Sequence, residues 1–346
     1  MEQQLPVEKE HPTRSRDVLV WTLASTLVVL AVLGGLNARL RREPNNDGYA
    51  LVRHKWQLMM KQRQPVDWLI LGDSSGSCGV EPEILEQRLG GSALNLCVVR
   101  SLQIANDSWM LQWHQQHLGT PRTVVVVHAY DVWYRTVDAA FYAHMSHVPL
   151  PAGFWHSLAP DPGLDGEQAW RVLLGRWLPV YTDVSSARRL LFRRGGAPRV
   201  FEDLREDGFS PLTQRREATI NKSLAAHLAF LKTAKFEVAP LNRTALDAMV
   251  QLADKQGFRL CFVQGPILDE LYNHPDFQRY YAGVRTMYEE LERKSSQVTW
   301  IRDVRTFPRS EMQKPDHTLE SAAKQYSIWL AEQLQGRKPT VPQRLR

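Results

Sequence analysis

Two short stretches of this sequence carry side chains suited to nucleophilic chemistry. The first, Ile70-Leu71-Gly72-Asp73-Ser74-Ser75, sets a serine just beyond an apolar run. The second, Pro315-Asp316-His317, holds the last histidine of the chain and precedes Thr318-Leu319-Glu320-Ser321 and a helix-like pattern. A serine hydroxyl is a weak nucleophile at neutral pH and needs a base beside it; imidazole, which ionises near neutrality, suits that work. Each stretch alone also has a plain structural reading. Gly-Asp-Ser is an ordinary turn, and Asp316 with Ser321 helps to begin a helix. Ser74 as nucleophile and His317 as base therefore depend on the two stretches meeting in space.

The other reactive side chains point less clearly to chemistry. Cys78, Cys97 and Cys261 are too few for a disulfide scaffold and show no C-x-x-C spacing. Cys78 lies four residues after Ser74 and Cys97 ends the next expected strand, so a pair between them is conceivable in an oxidising compartment; buried free thiols are the expectation. His144, His147 and His156 lack a flanking pair of carboxylates and read as structural or solvated, not as metal ligands. Gly265-Pro266 ends a strand and reads equally as a loop beside the site or as a terminator. No metal or organic cofactor is expected.

For Ser74 to serve, a rigid element must present it at the rim of the fold. Trp68 to Leu71 reads as a strand, followed by a turn and a helix around Pro82, Ile84 and Leu85. Further strands are expected at Ala93–Val99, Thr123–Val127, Phe258–Val263 and Val298–Ile301. Helices are expected at Gln103–Leu118, Leu241–Lys255, Phe277–Lys294 and Ala322–Leu334, with an amphipathic stretch around Leu51–Met60. Strands alternating with helices imply a parallel sheet covered on both faces, an α/β fold of three α/β/α layers. In such sheets ligands sit beyond the carboxyl ends of the strands, where Ser74 falls. The stretch from about 141 to 240 breaks the rhythm with Pro149, Pro151, Pro160 and Pro162, and reads as a partly helical insertion. Its Trp155, Trp170 and Trp177 suggest a small satellite core or, failing that, a groove lining.

Between Asp17 and Arg39 lie 21 uncharged residues, Val18 to Ala38. At about 1.5 Å per residue they span roughly 30 Å, the hydrocarbon thickness of a bilayer. An uncleaved signal anchor is expected, because Leu36 stands in the wrong place for cleavage after Ala38. Basic residues lean weakly toward a cytoplasmic body: Lys9, Arg14 and Arg16 precede the span, and Arg39, Arg41, Arg42, Arg53 and Lys55 follow it. The chain carries 43 Lys and Arg against 37 Asp and Glu, with Arg337, Lys338, Arg344 and Arg346 supplying much of the excess. A basic tail without an aromatic-interleaved stripe gives no reason to expect nucleic acid as a partner.

Taken as a pair, "DWLILGDSSGSCGVEPEILEQRLGGSALNLCV" and "PDHTLESAAKQYSIWLAEQL" resemble the opening and closing blocks of the SGNH (GDSL-type) hydrolase superfamily. With the membrane segment and "VEPEILEQRL", the chain looks most like the anchored members that accompany envelope O-acylation and D-alanine transfer. The resemblance covers roughly 66–335 and fits the middle poorly. It implies Ser74 as nucleophile, His317 as general base and the Ser74 backbone N–H as an oxyanion donor. The second donor of the family is a glycine where this chain has Arg100, whose N–H serves only if the position does not require φ > 0. The asparagine donor is missing, since the matching block is His128-Ala129-Tyr130-Asp131, and Asp131 reads as a loop or helix-start residue. The acid three residues before the histidine is replaced by Lys314, which cannot accept an imidazole N–H. Asp316 is adjacent to His317, and on an extended loop neighbouring side chains point apart. Asp316, a backbone carbonyl in a Ser-His dyad, or a site without catalysis all stay open.

The expected organisation is a polar tail (1–17), a transmembrane signal anchor (18–38), a stalk and leading helix (39–65), the α/β domain (66–335) and a basic tail (336–346). The expected function is a membrane-anchored serine esterase or O-acyltransferase acting on an envelope or exported carbohydrate, in the periplasm. A multispanning acyltransferase as acyl donor is implied by the family only. The alternative is an inactive scaffold of the same fold that binds glycan or such a partner.

Overall fold

The computed structural model describes residues 12–42, 47–148, 164–192, 204–215 and 217–336. Trp155, His156, the prolines from 149 to 162 and the basic tail beyond Gly336 lie outside the described residues.

Five strands form one parallel sheet: β1 (Trp68–Gly72), β2 (Ala93–Asn95), β3 (Thr123–His128), β4 (Arg259–Gln264) and, after the two-residue strand β5 (Ile267–Leu268), β6 (Val298–Trp300). Their order is β2-β1-β3-β4-β6. The chain first steps outward from β1 to β2 and then returns to the other side of β1, so the winding reverses between β1 and β3. Ligands in open parallel sheets sit at such a reversal, beyond the carboxyl ends of the strands. β1 and β3 are paired along their whole length, from Trp68 opposite Thr123 to Gly72 opposite Val127. Val124 to Val127 are fully buried. A β-branched run with neither face polar has no stable place except inside a sheet, and each valine buried there contributes about 1.5–3 kcal/mol.

The expected strands and helices appear within a few residues of their predicted limits. The strand expected over Ala93–Val99 is shorter as a ladder, yet Leu96 N donates to Ile70 O and Val98 N to Gly72 O, so the extended chain follows β1 to its end. The amphipathic stretch is helix Asp47–Lys61, whose Leu51, Val52, Trp56 and Met59 are buried in the body. Trp170 and Trp177 correct the satellite-core expectation: each is 63% exposed, on the outer side of helix Gly166–Trp177.

Two small sheets have no counterpart in the sequence reading, because two- and three-residue strands are too short for an alternating pattern. β5 pairs in parallel with β7 (Thr306–Phe307), and β8 (Met312–Lys314) pairs antiparallel with β9 (His317–Thr318). His317 is thus on a strand of a hairpin, where a loop is expected from sequence, directly ahead of helix Glu320–Gln335.

Gly72 closes β1 with φ +144°, and a Cβ there would meet Val127 O at 1.8 Å. The backbones of β1 and β3 touch at the point where the chain turns toward Ser74. We expect Gly72→Ala to destabilise the fold by about 3 kcal/mol or more, since strain and a backbone clash combine. Gly90→Ala, also at positive φ but facing open space, should cost only about 1 kcal/mol. Urea denaturation of the detergent-solubilised chain measures both, and equal losses would refute the close approach as the cause.

Candidate active site

Ser74 is the first residue of the short helix Ser74–Gly79, which leaves the carboxyl end of β1. Asp73 caps it: Oδ1 accepts from Ser75 N at 2.8 Å and from Ser75 Oγ at 2.6 Å. The other oxygen accepts from Ala129 N at 2.9 Å, just past β3, and faces His128 Nδ1 at 3.6 Å. His128 Nε2 in turn meets Asp107 Oδ2 at 2.5 Å. Burial opposes ionisation of Asp73, but the charge of the nearby His128, with the bonds from Ser75 and Ala129, brings its carboxyl down to about 2. Burial likewise opposes the charged form of His128, yet Asp107 and Asp73 raise it to about 9. A buried imidazolium between two carboxylates therefore pins the turn that carries Ser74 to the end of β3.

Behind the helix, Asn95 donates through Nδ2 to Gly76 O at 2.9 Å and Val80 O at 2.7 Å, and accepts from Cys97 N at 3.0 Å. Buried Lys55 donates to Asn95 O at 2.9 Å and to Gly208 O. Burial lowers the lysine to about 8. In front, Gly265 packs so tightly that a Cβ would lie 2.2 Å from Ser75 Oγ. The Gly265-Pro266 loop thus lies against the serine turn itself. Cys78, Cys97 and Cys261 are buried free thiols.

His317 approaches from the β8–β9 hairpin, whose two-residue turn is Pro315-Asp316. The hairpin is tied to the serine helix by Thr318 Oγ1, which donates to Cys78 O at 3.2 Å. Asp316 Oδ1 lies 2.6 Å from His317 Nδ1. This corrects the expectation that the adjacent carboxylate points away: a tight turn, unlike an extended loop, folds the Asp316 side chain back over the next residue. The other oxygen of Asp316 meets Arg100 Nη1 at 3.1 Å. Arg100 also binds both oxygens of Asp131, at 3.0 and 2.9 Å, and Arg135 reaches Asp131 Oδ2 at 2.7 Å. Burial opposes the charge on Asp316, but His317 and Arg100 outweigh it and hold the carboxyl well below its ordinary range.

Ser74 and His317 keep only 9% and 6% of their surface exposed, so the site is nearly dry. Among the described residues, no hydrogen bond joins Ser74 Oγ to His317. The Ser74 amide, as the first in its helix, is not used by the cap, which serves Ser75. Arg100 opens a 3-10 turn at negative φ; the positive φ in this segment falls on Gln103, at 59°. An Arg100 N–H is therefore compatible with the backbone, while its guanidinium is engaged by two carboxylates. His144 and His147 lie apart from this site: His144 Nδ1 faces Ala140 O at 2.6 Å, and His147 stacks on Tyr49.

Sequence reasoning took Asp131 for a loop or helix-start residue and missed its ion pairs, Arg135, the Arg100 guanidinium, and the Asp73–His128–Asp107 relay. Asp131 and Arg135 were legible as an i,i+4 pair, and Asp107 as a lone carboxylate in an apolar helical stretch. Comparison with protein-family models and with curated proteins finds no match to this chain.

The relay predicts a pH signature. An imidazole raised to about 9 in the folded protein and near 6.5 when unfolded contributes stability that is complete below 6.5 and lost as pH rises to 9. At pH 6, His128→Asn should cost about 3–5 kcal/mol, because two buried carboxylates lose their counter-charge. The gap to the wild-type chain, read from urea midpoints, should shrink steadily toward pH 9.5. A gap that stays constant over that range would show that His128 is not held as an imidazolium.

Proposed function

We propose that this chain is a membrane-anchored serine esterase or O-acyltransferase of the SGNH (GDSL-type) class, acting on acyl groups of an envelope or exported carbohydrate. The observation that carries the reading is the 2.6 Å contact of Asp316 with His317 Nδ1, on a hairpin bonded to the helix that Ser74 begins. Serine, imidazole and carboxylate thereby share the carboxyl edge of a parallel sheet at its winding reversal. The opening Gly72-Asp73-Ser74 and closing Asp316-His317 stretches are the ones through which the sequence resembles that class. In the same reading the fold is three-layered, with residues 141–240 inserted between β3 and β4.

With Nδ1 held by Asp316, Nε2 is the working nitrogen of His317. Ser74 Oγ attacks the acyl carbonyl as Nε2 takes its proton, and the Ser74 amide faces the developing oxyanion. Collapse of the tetrahedral intermediate expels the alcohol, which receives the proton from His317. Water or a sugar hydroxyl then attacks the acyl-serine with His317 again as base. Asp316 stays ionised throughout beside Arg100 and stabilises the imidazolium as it forms. Lys314 takes no part, and the carboxylate comes from the turn instead.

A second reading, an inactive scaffold that binds glycan or a membrane acyltransferase, is favoured by two observations. Ser74 and His317 make no hydrogen bond to each other among the described residues, and Asp131 is held in ion pairs with Arg100 and Arg135 where the class has an amide donor.

A fluorophosphonate probe separates the two. Labelling should occur at Ser74 and vanish in Ser74→Ala; it should slow about 10³-fold or more in His317→Ala and about 10²–10⁴-fold in Asp316→Asn. Lys314→Ala should stay within about threefold, as expected of a group outside the proton path. Absence of labelling in folded wild-type protein would favour the scaffold. For location, protease added outside spheroplasts should digest the body; protection of the body would assign it to the cytoplasm.

A further inference from the structure

The apolar helix Pro12–Arg42 is exposed along its middle and packs on the body only at its last turns. Asn37 and Leu40 are buried there, Asn37 Oδ1 accepts from Val180 N at 3.0 Å, and Arg41 donates to Trp177 O. Residues from Trp177 onward therefore sit at the level where the helix leaves its 26-residue apolar stretch, Arg16–Arg41. Trp177, Leu178, Tyr181, Val184, Leu191 and Phe192, on the segment that packs against this helix, are all exposed. Single exposed apolar residues are ordinary, but so many along one short segment are not. Trp and Tyr beside the end of a spanning helix match the belt found where hydrocarbon meets headgroups.

A cavity of about 310 Å³ opens beside these residues, lined by Arg41, Arg53, Arg176, Ser146, His147 and Trp177 among others, with no carboxylate among the described residues of its lining. Arg176 Nη1 and His147 Nε2 are buried without a hydrogen-bond partner among the described residues. His147 is only 8% exposed, and its ring is fixed by stacking on Tyr49 at 4.5 Å. Buried donors without partners are costly. An anion with several acceptor oxygens satisfies both, and phosphate matches guanidinium geometry best.

We propose that this pocket binds the phosphate headgroup of an anionic phospholipid in the bilayer that holds the apolar helix, with the 177–192 segment lying in the interface. The proposal rests on that helix remaining in the membrane and is independent of the chemistry assigned to Ser74. Arg176 grips the phosphate with the charge of Arg53 nearby, His147 supplies a neutral hydrogen bond, and the exposed 177–192 side chains receive the start of the acyl chains. The small volume suits a phosphate with its glycerol, at the lower limit of small-ligand sites.

Native mass spectrometry of the full chain in detergent, titrated separately with phosphatidylglycerol, phosphatidylcholine and inorganic phosphate, tests this. One phosphatidylglycerol should be retained with a preference of about 10-fold or more over phosphatidylcholine, in line with a few arginines each favouring an anionic lipid. The preference should fall at least about fivefold in Arg176→Gln and vanish in R53Q/R176Q, while R293Q/K294Q, which removes equal charge elsewhere, keeps it. Unchanged thermal melting of Arg176→Gln shows that the loss is local. Equal retention of the two lipids, an unaffected preference in Arg176→Gln, or saturation of the site by inorganic phosphate alone would each overturn the proposal. Flotation with neutral vesicles tests the anchor separately: a chain that does not float lacks the bilayer the proposal needs.

Discussion

The carboxylate of Asp73 is the point on which the candidate site turns. It lies inside the protein, where an unpaired charge is not tolerated, and its surroundings answer that requirement completely: two bonds from Ser75, one from the Ala129 amide and the charge of His128. Each of those partners is a piece of local structure. Ser75 lies in the first turn of the helix that Ser74 begins, His128 ends the central strand and Ala129 follows it. Satisfying one buried charge therefore joins β1 to β3 across the winding reversal and fixes where the serine stands. Gly72 makes the join feasible, because no side chain fits between its Cα and Val127 O.

The histidine side follows the same physics with different parts. Asp316 is also buried, and it is satisfied by His317 on one oxygen and Arg100 on the other. Arg100 is shared with Asp131, and Asp131 with Arg135, so the charges alternate in sign along a chain of side chains. Such a chain orients the imidazole through its Nδ1 and leaves Nε2 for whatever work the site does. The hairpin turn supplies a carboxylate one residue away, and the arginine keeps that carboxylate ionised.

The end of the body that meets the apolar helix is built differently. There apolar side chains face outward, and two buried donors, Arg176 Nη1 and His147 Nε2, have no hydrogen-bond partner among the described residues. The body and the apolar helix meet through Asn37, Leu40 and Arg41, so the position of the body relative to that helix is set by packing and not by a free linker.

The sequence by itself determined the apolar helix, the five parallel strands and the helices between them, because these follow from local regularities: an uncharged run of bilayer length, β-branched runs such as Val124–Val127, and helical spacing of apolar residues. It also singled out Ser74 and His317, each at the boundary of an element. It did not determine what stands beside them. The pairing of Asp316 with His317 required a turn that spacing alone reads as an extended loop, and the strands around it are two or three residues long. Arg100 pairs with Asp131 across 31 residues and Asp107 with His128 across 21, and Asp131 reads locally as a loop or helix-start residue. Only the tertiary structure decided their partners, because burial is what makes a charge seek one, and burial is a property of the assembled fold.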